Sequence, residues 1–368
     1  MTLSLYIARR FVRSLLMVGA TFWGILFLIE MVEQIRRYDA ARVGLREAAI
    51  LSALTVPGSL YTILPLIVML AAVVLFLGLA RSSELVVVRA AGRSALRMLL
   101  APVAVALIFG ALAVMVGNPI VSATAKAYET LAGRYTAGGA QTVSIGREGV
   151  WMRQGTDEVA GGQAVIRAAR ANLDATVLYD VTFLIFAPGE GPVRRIDAAT
   201  AQLDPGAWVL GEAKEWPLGA STNPERDATT SAVLRLPSDL TADRIRDSFG
   251  TPSAVPVWDL PGFIAALEKA GFSARRHMVW FQMELAQPLV LAAMVLIAAG
   301  FTMRHVRFGG TGSMVLLALG AGLGVFFLRN VAQVLGDNGQ IPVALAAWAP
   351  PAIALMLSLA LLLHLEDG

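Results

Sequence analysis

The chain has 368 residues, 56% of them apolar, with a formal net charge of +3 and no cysteine. Apolar content at this level lies above that of soluble domains. The absent thiols exclude disulfides, thiolate metal sites and cysteine nucleophiles, but fix no compartment. In chain order, apolar runs fall at Phe11–Met31, at a long stretch from Leu54 to Ala80, and at Met98–Val116. A polar insert of domain size follows. Three further runs come after it, at about Met278–Met303, Met314–Leu328 and Val343–Leu363. Each is near the ~20 apolar residues that a bilayer crossing requires. Arg9, Arg10 and Arg13 before the first run resemble a signal-peptide layout. That run is too long for a signal core and lacks a small-x-small cleavage site, so it reads as a retained anchor.

Orientation follows from Lys and Arg in short loops. The N-terminus carries Arg9, Arg10 and Arg13; the loop after the second run carries Arg81, Arg89, Arg93 and Arg97; the loop after the fourth carries Arg304 and Arg307. The loop Leu335–Pro342 carries none. Both termini are therefore expected in the cytoplasm, with the insert outside. One loop breaks the pattern: Arg36, Arg37, Arg42 and Arg46 stand on the outer side, after the first run. They pair with Glu33 and Asp39, or they meet an anionic ligand, for which the bidentate guanidinium suits phosphate. Glu30 and Arg329, each near the outer end of a membrane helix, form either an ion pair or a polar cavity wall, because charges at such depth need partners.

From Asn118 to about Pro256 the pattern changes. Val177–Phe186, Val193–Leu203 and Trp208–Trp216 are rich in β-branched and aromatic residues, and turn residues at 187–192 and 204–206 separate them. Short strands with regular turns predict an all-β sandwich or roll. Val121–Tyr135 is predicted to continue the third helix outward, and Leu260–Ala270 to form a connector helix stopped by Gly271. The insert has no histidine and no metal or nucleophile constellation. It reads as a docking or ligand-passing surface.

The inner loop at 80–98 places Leu85, Val86 and Val88 beside charges, with Ser82 or Ser83 as N-cap and Glu84 in the first turn. A short amphipathic helix there is either a surface anchor or a knob for a cytoplasmic partner.

The stretch Arg81-Ser-Ser-Glu-Leu-Val-Val-Val-Arg-Ala-Ala-Gly-Arg-Ser94 closely resembles the Ser-Glu-Leu-x-Val-x-(Arg/Gln)-Ala-x-Gly loop of the LptF/LptG permease family. The 3+3 helix order and the external insert match that family along the whole chain. Met31–Arg37 and Gly339–Pro342 are similar to its LptG branch. The resemblance implies six transmembrane helices with an inserted periplasmic β-jellyroll: helices 1–3 over 1–117, the jellyroll with helical connectors over 118–272, and helices 4–6 over 273–368. It implies a permease subunit in the bacterial inner membrane, paired with an LptF-like permease. Two LptB-like ATPases, an LptC-like bitopic protein and a periplasmic bridge protein complete the assembly. The ligand is lipopolysaccharide, and ATP is held by the partner rather than by this chain. The coupling segment at about 82–93 is implied to use Arg81, Ser83, Glu84, Leu85, Arg89 and Gly92, with Glu84 the key acidic contact. Arg36 and Arg37 match basic positions that contact lipopolysaccharide phosphates. Arg134 falls where relatives are also basic, and Glu30 where some carry lysine. Together with Arg329 these residues make the expected lipopolysaccharide site.

The chain has no Gly-x-x-x-x-Gly-Lys-Ser/Thr, so ATP hydrolysis is expected in a partner. A membrane enzyme is the rival class. It finds no His-Glu-x-x-His, and His277, His305 and His364 lie far apart in sequence. Glu284 and Gln287 are expected to pack against a neighbouring helix or a partner subunit. A non-transporting scaffold would not need the outer Arg cluster.

Overall fold

The structure is a computed structural model. It describes residues 2–38, 44–82, 84, 95–132, 135, 143–146, 149–156, 162–172, 176–188, 191–219, 223–238, 240–241, 252–269, 272–303 and 311–367. Contacts divide the chain into two compact units. The first holds Met1–Tyr135, Ser253–Val257 and Arg275–Gly368; the second holds Thr136–Pro252 and Trp258–Ala274.

The first unit is helical. Its elements are α1 (Thr2–Arg37), α2 (Leu45–Thr62), α3 (Leu64–Arg81), α4 (Ala95–Leu112), a π turn (Ala113–Gly117), α5 (Asn118–Ala132), α7 (Arg275–Thr302), α8 (Thr311–Asp337) and α9 (Val343–Asp367). Among the described residues, six stretches are long and apolar enough to cross a membrane: Leu3–Arg37, Leu64–Arg81, Arg97–Ala132, Arg275–Thr302, Gly312–Asp337 and Val343–His364. The expected single run from Leu54 to Ala80 is in fact two helices. α2 begins earlier, at Leu45, and the chain breaks at Ile63, two residues before Pro65. Pro65 lacks the N–H that would continue the ladder and stands in the first turn of α3, where that N–H is not needed. A hydropathy reading sees one apolar stretch because the break removes no apolar residue. The expected outward continuation of the third helix is α5.

α7 is the axis of this unit. It packs on α3, α4, α8 and α9, and Val290–Gly300 is almost wholly buried. A helix apolar on every side belongs in such a place. A methyl added at Gly110 of α4 would stand 2.6 Å from the Cα of Pro288, so only glycine permits this approach of the two backbones. At the start of α7, Arg275 donates from Nε to the Gly336 carbonyl (2.7 Å) and from Nη2 to that of Ile341 (2.6 Å). This fixes the turn between α8 and α9, where Gly339 takes φ +80°. α1 and α8, by contrast, leave Leu16, Met17, Leu28, Leu316 and Phe327 exposed.

Among the described residues the second unit is one antiparallel sheet whose seven strands pair in chain order: β1 (Val143–Gly146), β2 (Gly149–Thr156), β3 (Gly162–Ala171), β4 (Val177–Phe186), β5 (Pro192–Asp204), β6 (Ala207–Pro217) and β7 (Thr229–Pro237). The three strands read from sequence are β4, β5 and β6. Alternate residues face a core of Ile166, Phe183, Ile196 and Trp208. The sheet is rolled. Gln154 on β2 lies four strands from Trp208 on β6, a separation of ~19 Å in a flat sheet. Yet Trp208 Nε1 donates to Gln154 Oε1 at 3.4 Å, and Ser238 Oγ donates to the same oxygen at 2.9 Å. Asp180 and Glu212 take left-handed backbone (φ 51° and 53°) where the ladder skips a pair. Such irregularities bend strands. The connector helix α6 (Leu260–Lys269) is shown, and its expected stop at Gly271 lies outside the described residues.

The residue pattern of this unit carries its own core. Residues 137–256 cut out alone are therefore expected to give circular dichroism dominated by β-structure. A helix-dominated spectrum would overturn that expectation.

Candidate functional site

The C-terminal end of α1 carries Arg36 and Arg37, both exposed. Arg37 Nη1 donates to Tyr128 Oη of α5 at 3.3 Å, and Tyr128 Oη donates to Gln34 Oε1 at 3.2 Å. The anchoring comes from apolar packing below: Ala48, Leu51 and Ala132 are buried beneath Tyr38, Tyr128 and Tyr135. Neither arginine forms an ion pair with Glu33, and Asp39 and Arg42 lie outside the described residues. Arg46, at the start of α2, is exposed. Arg134 lies outside the described residues.

Glu30 and Arg329 go to different partners. Glu30 Oε1 accepts a bond from Ser59 Oγ of α2 at 3.1 Å. The charge of Arg329 on α8 acts on Glu284 of α7 and Tyr61 of α2. Sequence reading offered Glu30–Arg329 as one possible pair; it could not see that the charge of Arg329 acts on Glu284 instead, because that depends on how α7 faces α8. Tyr61 Oη donates to Glu284 Oε2, and Asn118 Oδ1 at the head of α5 accepts from the Val257 amide at 2.8 Å. Glu284 therefore packs against neighbouring helices of its own chain, as expected. Tyr61, Asn118, Ser59 and Tyr128 were not singled out in the sequence; the only signal there was a polar residue in an otherwise apolar run.

At the other end of α1, Arg10 Nη1 pairs with Glu84 Oε1 at 2.7 Å and also donates to Tyr6 Oη at 2.8 Å. Ser82 Oγ donates to Glu84 Oε1 at 2.7 Å and to the Gly78 carbonyl at 3.0 Å. Ser82 thus closes α3, where the sequence suggested it as a possible cap of the following segment. Burial pushes the Glu84 carboxyl up, but bonds from Ser82, Arg10 and Tyr6 outweigh this and hold it below the usual carboxylate range. Gly78 makes room for the arginine: a methyl there would lie 3.2 Å from Arg10 Nη2. Arg81 ends α3 and is exposed. Ser83, Leu85, Arg89 and Gly92 lie outside the described residues.

Six apolar spans among the described residues, interrupted by a β-domain, with cations at one end of the first span and an ion-paired acidic residue just after α3, define a multi-pass membrane protein with an inserted β-module. The chain matches the family model described as lipopolysaccharide export system permease LptF/LptG over residues 5–364, and it belongs to that family. Among similar proteins is the lipopolysaccharide export system permease protein LptG of Haemophilus influenzae, 23% identical over 92% of this chain and 91% of that protein. The protein of the same name from Escherichia coli K12 is 24% identical over 98% and 97%.

Proposed function

We propose that this chain is the LptG-type permease subunit of a lipopolysaccharide exporter in the bacterial inner membrane, with both termini cytoplasmic and the β-module periplasmic. The exposed pair Arg36 and Arg37, unmatched by Glu33, carries this reading: two guanidinium groups on one helix end suit a bis-anionic headgroup. The ligand is lipopolysaccharide taken from the outer leaflet, its phosphates held by the arginines and its acyl chains by apolar helix faces. An LptF-like permease covers the exposed faces of α1 and α8. Energy comes from two LptB-like ATPases that engage the segment beginning at Glu84. An LptC-like bitopic protein and a periplasmic bridge protein receive the lipid through the β-module. This chain carries no catalytic group of its own in the scheme and holds no cofactor. The test is co-purification of an ATPase whose turnover rises with added lipopolysaccharide. An isolated chain with no ATPase partner, or a turnover indifferent to the lipid, would remove the transport reading.

A further inference from the structure

Two breaks in the membrane unit lie against one polar cluster. α2 stops at Thr62 and α3 starts at Leu64, leaving Ile63 outside helical geometry with φ −93° and ψ 7°. The π turn Ala113–Gly117 joins α4 to α5 as a local widening of the helix, with Leu112 and Asn118 on either side in right-handed helical geometry. Such turns favour functional positions. The two breaks touch: a methyl at Gly117 would meet the Tyr61 ring at 3.5 Å.

The helices on either side of the breaks have different neighbours. α3 and α4 both pack on α7, whereas α2 and α5 pack on each other; α1 lies against α2, α3 and α4. A tie between the two groups is the bond from Tyr61, near the end of α2, to Glu284 on α7. Glu284 has no exposed surface. A carboxylate so placed among apolar helices is costly unless bonded. Its Oε2 takes the tyrosine, and Oε1 has no hydrogen-bond partner. Asn118, at the head of α5, accepts a bond at Oδ1 from the Val257 amide at 2.8 Å. Plain packing would be served better by an apolar residue at this position, since a buried polar group with an unmet oxygen destabilises the site it occupies.

We propose that α2 and α5 form one body that swings against the α7 core about Ile63 and the π turn, and that the Tyr61–Glu284 bond is the latch that holds it. α2 starts beside Arg46 and α3 ends three residues before Glu84, so the joint stands between the two ends of the molecule. The inference concerns the fold and stands whether or not lipopolysaccharide is the ligand.

The test uses the full-length chain in lipid nanodiscs, whose lack of native cysteine permits clean spin labelling at Ile50→Cys on α2 and Val74→Cys on α3. Both positions are exposed. They would be ~36 Å apart along one straight helix. In the parent chain the distance distribution is expected to have one narrow maximum. Tyr61→Phe, which removes only the hydroxyl, is expected to double its width or add a second maximum. Glu284→Gln keeps an acceptor oxygen and is expected to leave it narrow. A second label pair at Leu316→Cys and Met356→Cys, on α8 and α9, is expected not to change. An unaltered distribution in Tyr61→Phe would overturn the latch. So would equal broadening in Glu284→Gln, or equal broadening of the control pair, which would mean general loosening.

Discussion

Replacing Arg36 and Arg37 together by glutamate is expected to abolish lipopolysaccharide-stimulated ATPase turnover and export, with assembly intact. Each charge-assisted contact to a phosphate is worth about 1.5–3 kcal/mol. Losing two weakens binding by about 100-fold to 20,000-fold before any repulsion from the new carboxylates. The structural cost is small. Both side chains are exposed, and the one bond lost from the described residues is the 3.3 Å contact from Arg37 to Tyr128. The tyrosines and Leu51 below it hold α1, α2 and α5 together without it. Replacement by two lysines is expected to be milder, because charge survives and only the two-pronged geometry is lost. The measurement is lipopolysaccharide crosslinking with ATPase turnover in the assembled complex. Normal crosslinking and turnover in the double-glutamate protein would take these residues out of the binding site.

The second large effect is expected from Glu84→Ala. It removes the charged contact to the ATPase proposed above, and such a contact is worth about 1.5–3 kcal/mol where desolvated, or about 10- to 150-fold in docking. Folding in the membrane is expected to persist. The pair Glu84 makes with Arg10 is about one-third exposed on each side, and such pairs contribute only about 0–1 kcal/mol. The pH sign follows from the folded-state pKa of Glu84, which lies below the ordinary carboxylate range. Its pairing contributes fully above the ordinary carboxylate range and is lost as pH falls through the lowered value. Co-purification with the ATPase, titrated from pH 7 downward, reads both effects. A Glu84→Ala protein that co-purifies and exports normally would show that Glu84 is not the coupling contact. Arg10→Gln provides the contrast: it breaks the same intrachain pair but leaves the carboxylate for the ATPase, so it is expected to lose far less docking.

Much of the fold was legible because its signals are local. Hydropathy over some 20 residues located all six spans, and alternating β-branched residues with turn signals located β4, β5 and β6. The loop at 81–94 pointed to the family through residue identities alone. What remained hidden was set by distance in the chain. The break at Ile63 leaves hydropathy unchanged, and the π turn at Ala113–Gly117 adds no unusual residue. The rolling of the sheet, which joins Gln154 to Trp208 and Ser238, arises from twist and skipped pairs accumulated over several strands. The partners of charges were the least legible. Glu30 and Arg329 look alike in sequence, each a lone charge near a helix end. Helix packing sends one to Ser59 and the other towards Glu284 and Tyr61. The sequence by itself determined which segments leave water, because burial energy scales with the apolar surface each segment carries. The tertiary structure alone decided which buried polar groups meet, because an intramembrane charge is tolerated only where a neighbouring helix, distant in sequence, brings it a partner.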